Sequence, residues 1–322
     1  MSQLKAPAAN GANKFKGLVT LLGLVVFIAV MVVVMAIVSP VFLSSGNLIN
    51  ILRQVSLNGI LAVGLTFVIL TGGIDLSVGS LVAVTGVVVG SMLINGYNAW
   101  QAALCGILIS VLFGVFNGAM IAYCSLPPFI ATLAGQTIGR GFALVFSDGK
   151  PYAVTDKDFL AIGKGALIGI PIPIWILFFV CVIAGIVLNY TTYGRHVYAF
   201  GGNRNATKLS GVKTKFVEMM VYVISALMAG IVGVILAARI SSGQPTAGTG
   251  YELDAIAAVA IGGTSMSGGI GTLSGTILGF IIIGVLSNSL TLLNVSSFYQ
   301  QIVKGAIILI ALLMDMRSKR KE

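Results

Sequence analysis

The chain alternates long apolar runs with short polar interruptions, and most runs have the length of a bilayer-crossing helix. An α-helix rises 1.5 Å per residue, so about 20 apolar residues cross the ~30 Å hydrocarbon layer. The pattern predicts spans near 17–38, 48–70, 78–95, 101–123, 128–147, 171–190, 217–238, 254–267, 272–293 and 299–314. Apolar and polar residues do not alternate over ten-residue segments, which argues against a β-barrel. The expected fold is an all-α polytopic membrane protein of about ten transmembrane helices. The second and eighth runs are the least regular. Glycine-rich segments follow both and mark broken helices.

Composition agrees with this pattern. The 322 residues are 57% hydrophobic and 9% charged, against about 25% charged in soluble domains. The net charge of +10 does not call for nucleic acid, because basic residues gather in the cytoplasmic loops of membrane proteins. Segment 191–216 carries Arg195, Arg204, Lys208, Lys213 and Lys215 and no acid. The N-terminal tail 1–16 holds Lys5, Lys14 and Lys16, and the C-terminal tail 315–322 reads "DMRSKRKE". All three read as cytoplasmic, flanking or interrupting one transmembrane domain over 17–314. Ten spans make the three assignments agree; eight spans with two re-entrant segments do so as well. Segment 148–170 then faces outside, with three aspartates and three lysines. The first run is longer than a signal-peptide core of 7–15 residues and reads as an uncleaved span. Cys105, Cys124 and Cys181 lie in apolar runs without framework spacing, and the lone His196 has no ligand partners in the sequence.

One internal repeat is visible. "ILAV" at Ile60 matches "IAAV" at Ile256, and "GGIDLSVGSL" at Gly72 matches "GGIGTLSGTI" at Gly268, both with an offset of 196 residues. Both copies run from outside to inside in the ten-span topology, so the repeat is parallel. Gly72, Gly73, Gly268 and Gly269 then fall at helix breaks. Breaks at corresponding places in a repeat point towards a transport path.

Asp75 raises a sharper question, since a charge at a bilayer centre costs about 2.5–3.5 kcal/mol on insertion scales. Such an acid must face protein or water. Two uses are open: Asp75 or Ser77 caps the helix that starts near Val78, or the pair lines a polar path. Asn58, Gln136 and Arg140 are further polar candidates inside spans, with Arg53, Asn117 and Asn288 beside them. Gln136 and Arg140 share a helix face at i, i+4. Arg140 either pairs with Asp75 or snorkels to an interface.

Nothing in the chain supports catalysis. No hydrolase triad spacing, metal motif or phosphate loop occurs, so no catalytic or metal residue is assigned. The segments "ILTGGIDLSVGSLVAVTG", "GGNRNATKLSG", "SSGQPTAGTGYELDAIAAVAIGGTSMSGG" and "VSSFYQQIVKG" are together specific. Through them the chain resembles the membrane (permease) subunits of bacterial ABC-type sugar importers, most closely the ribose permeases, over nearly all residues after 40. The resemblance implies a bacterial inner-membrane subunit that forms the path for a monosaccharide such as ribose. It implies three protein partners: a second permease copy, a cytoplasmic ATP-binding subunit and a periplasmic sugar-binding protein. ATP would be used by the partner subunit, with no cofactor bound by this chain. It also implies that loop 191–216 couples to the ATPase through Gly202, Asn203, Ala206, Leu209, Ser210 and Gly211. A plain solvated loop is the competing reading. The outer segment 241–254 looks suited to docking the binding protein through Glu252 and Asp254, unless those acids cap the next span. An ion-coupled secondary sugar transporter is the alternative function, although the chain offers essentially one intramembrane acid for an ion.

Overall fold

The computed structural model describes residues 9–319, most of them helical. Lys5 in the N-terminal tail, and residues 320–322 of the C-terminal tail, lie outside the described residues. The helices are α1 (Ala9–Val38), α2 (Ser45–Leu70), α3 (Val78–Ile94), α4 (Ala99–Ala122), α5 (Pro128–Phe146) and α6 (Lys157–Lys164). They continue as α7 (Ile172–Tyr190), α8 (Thr192–Gly202), α9 (Arg204–Leu209), α10 (Thr214–Ile240), α11 (Tyr251–Ile261), α12 (Leu273–Leu292) and α13 (Ser297–Lys319). Two small antiparallel pairs complete the fold: β1 (Tyr152–Ala153) with β4 (Ser242–Gly243), and β2 (Ala166–Leu167) with β3 (Ile170–Pro171).

Helix starts follow local chemistry. Ser44 caps α2 by accepting from Asn47 N, and Asn98 and Gln101 form a reciprocal capping box on α4. Pro128 occupies the first turn of α5, where its missing N–H has no intrahelical partner in any case. Asp156 caps α6 by accepting from Phe159 N.

Among the described residues, seven helices are long and apolar enough to cross a membrane: α1 over Leu21–Val38, α2, α4, α5, α7, α10 and α12. The chain is a polytopic all-α membrane protein. Helix α3, with 17 residues, is apolar but shorter, about 25 Å at the helical rise. The expected eighth span over 254–267 is only the 11-residue α11, about 16 Å long, followed by a break from Gly262. It cannot cross alone. The second run, expected to be irregular, is an unbroken 26-residue helix, and the irregularity begins after its end.

Helix α2 is the centre of the bundle. It is buried on every side from Val55 to Leu70, which explains why its apolar pattern has no polar face. Helix α10 crosses it and packs on α4 and α3. Polar pairs tie α2 to α12 at two levels. Asn47 and Asn288 exchange amide hydrogen bonds at 3.1 and 2.8 Å, and the Thr66 and Thr276 hydroxyls meet at 2.9 Å.

The two repeat copies meet at one end of the bundle. The N–H of Gly269 donates to the carbonyl of Leu70 at 2.9 Å, so the end of α2 lies against the second break, which follows α11. Gly72 has φ 78° and Gly268 has φ 86°, the same left-handed conformation at equivalent positions. Helix α3 leaves the first break and α12 leaves the second, so the two helix hairpins point the same way.

Candidate functional site

Three arrangements hold the residues singled out by the sequence. The first is the break over residues 71–77. Asp75 is 1% exposed, and its Oδ1 accepts from Ser77 N at 2.9 Å and from Ser77 Oγ at 2.6 Å. Ser77 Oγ in turn accepts from Asn117 Nδ2 on α4 at 3.0 Å, while Ser80 Oγ donates to Ser77 O at 2.8 Å. Thr132 on α5 donates to Ile74 O at 3.2 Å, and the Tyr222 hydroxyl of α10 lies against Gly73. The break is therefore enclosed by α4, α5 and α10. The physical reason is clear: the turn that leads into α3 lies inside the bundle, where the Ser77 N–H and hydroxyl have no water, and a carboxylate is the strongest acceptor for them. The expected cap is thereby corrected: Asp75 closes the turn before α3 by engaging Ser77, and it accepts from no N–H within the helix. Ser77 occupies the N-cap position but makes no side-chain cap bond itself.

The second arrangement surrounds the irregular segment 242–250. This segment runs antiparallel to α3, with Gly243 against Gly86 and Gly248 against Gly79. Its carbonyls lie largely outside regular secondary structure and need donors. Arg140 supplies them: its Nη1 donates to Pro245 O at 2.6 Å and to Ala247 O at 2.8 Å. The expected pairing of Arg140 with Asp75 is thereby corrected. The guanidinium, with its several donors in one plane, serves main-chain acceptors, and Asp75 is already engaged by Ser77. Gln136, one turn before Arg140, donates to Glu252 Oε1 at 3.1 Å. Glu252 lies in the first turn of α11, and its other oxygen packs against Gly79. Asp254 accepts from Lys304 of α13 at 2.7 Å. The expectation that Glu252 and Asp254 are displayed for docking is likewise corrected, because both are buried. Each acid sits near the start of a half-length helix, where the helix dipole favours negative charge. Asn58 is buried within α2 and makes no recorded hydrogen bond to either group.

The third arrangement is loop 191–216. It holds two helices, α8 and α9, rather than one short helical stretch. Asn203 caps α9 by accepting from Ala206 N at 2.9 Å. Ser210 closes the helix, its Oγ donating to Ala206 O at 2.9 Å, and Gly211 follows with φ 82°. The polar and glycine positions of the pattern are thus the punctuation of one helical turn. Between them Leu209 projects, 89% exposed. Arg204 pairs with Glu218 at 2.6 Å and lies over the Phe200 ring. A groove of about 560 Å³ opens beside α9, lined by Tyr123, Arg204, Lys208, Lys213, Lys215 and Phe216 among others. Gly202 ends α8 and touches the second break, where a methyl on Gly269 would fall 2.8 Å from Gly202 N.

Sequence reasoning missed Tyr222, Thr132, Thr276 and Lys304. Tyr222 sits within an unremarkable apolar run and shows no local signal. Lys304 could have been found as a charge inside the last span.

A bundle with broken helices, buried polar junctions and a basic end loop defines a membrane transport subunit. The chain matches the family described as branched-chain amino acid transport system / permease component over residues 47–312, and it belongs to that family. It is a transport subunit rather than an enzyme. It is 46% identical to the ribose import permease protein RbsC of Bacillus subtilis (strain 168) over 305 residues, 94% of this chain and 95% of that one. Identity to the ribose import permease protein RbsC of Escherichia coli (strain K12) is 45% over 294 residues, covering 90% and 92%. The L-arabinose transport system permease protein AraH of Escherichia coli (strain K12) is 39% identical over 299 residues, covering 93% and 91%. No solved structure matches the chain.

Proposed function

We propose that the chain is the membrane-spanning subunit of an ATP-driven ABC importer that carries ribose. The observation that carries the reading is the 46% identity to a ribose import permease across nearly the full length of both proteins. The chain works in a bacterial inner membrane with both termini and loop 191–216 in the cytoplasm. It makes ten passages, with α3 and the pair of α11 and segment 242–250 as incomplete helical ones. Two copies enclose the path, a periplasmic sugar-binding protein delivers the sugar, and ATP is hydrolysed by a cytoplasmic subunit. This chain binds no cofactor itself. The breaks at Gly72, Gly73, Gly268 and Gly269, with Asp75, Ser77, Asn58, Gln136 and Arg140, form the mobile and polar part of the path.

Loop 191–216 seats the ATPase. An apolar Leu209 held out on a capped turn, beside a basic groove, suits a partner that offers an apolar pocket with an acidic rim. Leu209→Asp is expected to weaken co-purification of the ATPase roughly tenfold or more, as loss of a buried apolar anchor does. Unchanged capture would remove the seat from this loop. The function is tested by reconstitution in liposomes with the ATPase and the binding protein. Ribose uptake should require ATP and survive collapse of ion gradients. Uptake that follows an ion gradient without ATP would establish the secondary-transporter alternative. Labelling of a cysteine placed at Asn205 from the outer side of intact cells would overturn the orientation.

A further inference from the structure

Helix α8 ends on the junction of the two breaks, and it does so with glycine. A methyl group on Gly201 would overlap both Leu70 O, the last carbonyl of α2, and Gly269 N in the second break. A methyl on Gly268 would lie 2.8 Å from Gly72 N and 3.0 Å from Gly201 Cα. The Gly269 N–H donates to Leu70 O at 2.9 Å in the middle of this contact. One turn earlier on α8, the Tyr198 hydroxyl donates to Gly271 O at 3.1 Å. Burial raises the Tyr198 pKa, so the phenol stays protonated and remains a donor. Three segments far apart in sequence thus touch main chain to main chain, with no side chain between them.

That absence of side chains has a mechanical meaning. Rotamer changes absorb small displacements, whereas closely packed backbone transmits them. We infer that Gly201 is a positioning residue of the transport cycle: it makes α8 bear directly on both helix breaks, so that movement of the Leu209 loop shifts α3 and α12 together. The inference rests on the reading of loop 191–216 as the ATPase seat. It adds where the push goes and why both repeat copies move in one step.

The test uses the complete complex in liposomes and reads ATP hydrolysed per ribose taken up. Gly201→Ala must part α8 from the breaks, while Leu209 and the α9 turn stay intact. The ATPase should still co-purify and hydrolyse ATP, but the ratio of ATP to ribose should rise roughly tenfold, the scale of coupling changes seen along such contacts. Tyr198→Phe removes one hydrogen bond with the ring in place and should raise the ratio roughly twofold. Gly185→Ala on α7 is the control, because its methyl would meet Leu273 Cδ2 at an ordinary 3.5 Å; its ratio should stay at the wild-type value. A wild-type ratio for an assembled Gly201→Ala complex overturns the inference. If Gly201→Ala does not assemble, a wild-type ratio for Tyr198→Phe overturns it instead. Failure of the underlying reading looks different: Leu209→Asp would then leave ATPase capture unchanged.

Discussion

The two copies of the repeat share a break but not a way of starting the next helix. In the first copy Asp75 reaches forward to Ser77 N and Ser77 Oγ, at the start of α3. In the second copy the aligned residue is Gly271, and Thr272 caps α12 by accepting from Gly275 N at 3.1 Å. The surroundings explain the difference. Asp75, Ser77 and Val78 are buried, whereas Thr272 and Ser274 at the start of α12 are exposed. Where water reaches the helix start, a hydroxyl cap suffices. Where it does not, an unpaired N–H or hydroxyl is costly, and a carboxylate that engages both Ser77 groups is worth its own burial. The repeat therefore preserves the chain path, and each copy solves the buried-terminus problem locally. An acid at 271 is also barred by space, because a Cβ there would meet Thr264 Oγ1 at 2.6 Å.

The largest effect that would break this comparison is expected at Asp75. Asp75→Leu leaves Ser77 N and Ser77 Oγ without their acceptor in a dry site. Each unsatisfied buried group costs about 1–3 kcal/mol, so the thermal midpoint of the detergent-solubilised protein should fall steeply. Asp75→Asn keeps the Oδ1 acceptor and should cost clearly less. Equal midpoints for Asp75→Leu and wild type would show that α3 does not depend on the acid.

Much of this was legible in the sequence, and the exceptions share one cause. Run lengths and the 196-residue offset place the long helices and both breaks, though not the short α11 or the pair α8 and α9, because hydropathy and glycine pattern are local signals. Asp75 stood out because a lone acid in an apolar chain demands an explanation. Its partners did not stand out, since Tyr222 and Thr132 are brought to the break only by packing of α10 and α5. Arg140 invited pairing with an opposite charge. The carbonyls of Pro245 and Ala247 could not be foreseen as its partners, because segment 242–250 reads as a polar outer loop in the sequence. Its descent along α3 depends on Gly79 and Gly86 offering room for backbone. That is a feature of three-dimensional packing.

An intermediate effect is expected at Arg140, which sharpens the comparison by asking how far segment 242–250 supports the start of α11. Arg140→Met keeps much of the stem but leaves two carbonyls without donors. A loss of about 2–3 kcal/mol follows, since bonds to a charged donor are worth about 1.5–3 kcal/mol and water can replace them in part. Arg140→Lys should recover only part, because an ammonium lacks the planar fork that reaches both oxygens. The measurement is proteolysis of segment 242–250 alongside the thermal midpoint. Full recovery by lysine would mean that charge alone, without fork geometry, holds the segment.

The smallest effect belongs to the second copy. Thr272→Ala removes one cap at the start of α12, where Thr272 itself is exposed and the bond to Gly275 N is only partly buried. Loss of such a cap costs about 0.5–2 kcal/mol, with exposed sites at the low end. Thr272→Asp should match or exceed wild type, because a carboxylate at an exposed helix start bonds the same N–H and favours the dipole. The thermal midpoint of each variant, set against Asp75→Leu, measures directly how much burial amplifies an identical task. If Thr272→Ala destabilises the protein as much as Asp75→Leu, the two helix starts are equally dry, and exposure is not what separates a threonine from an aspartate at this step of the repeat.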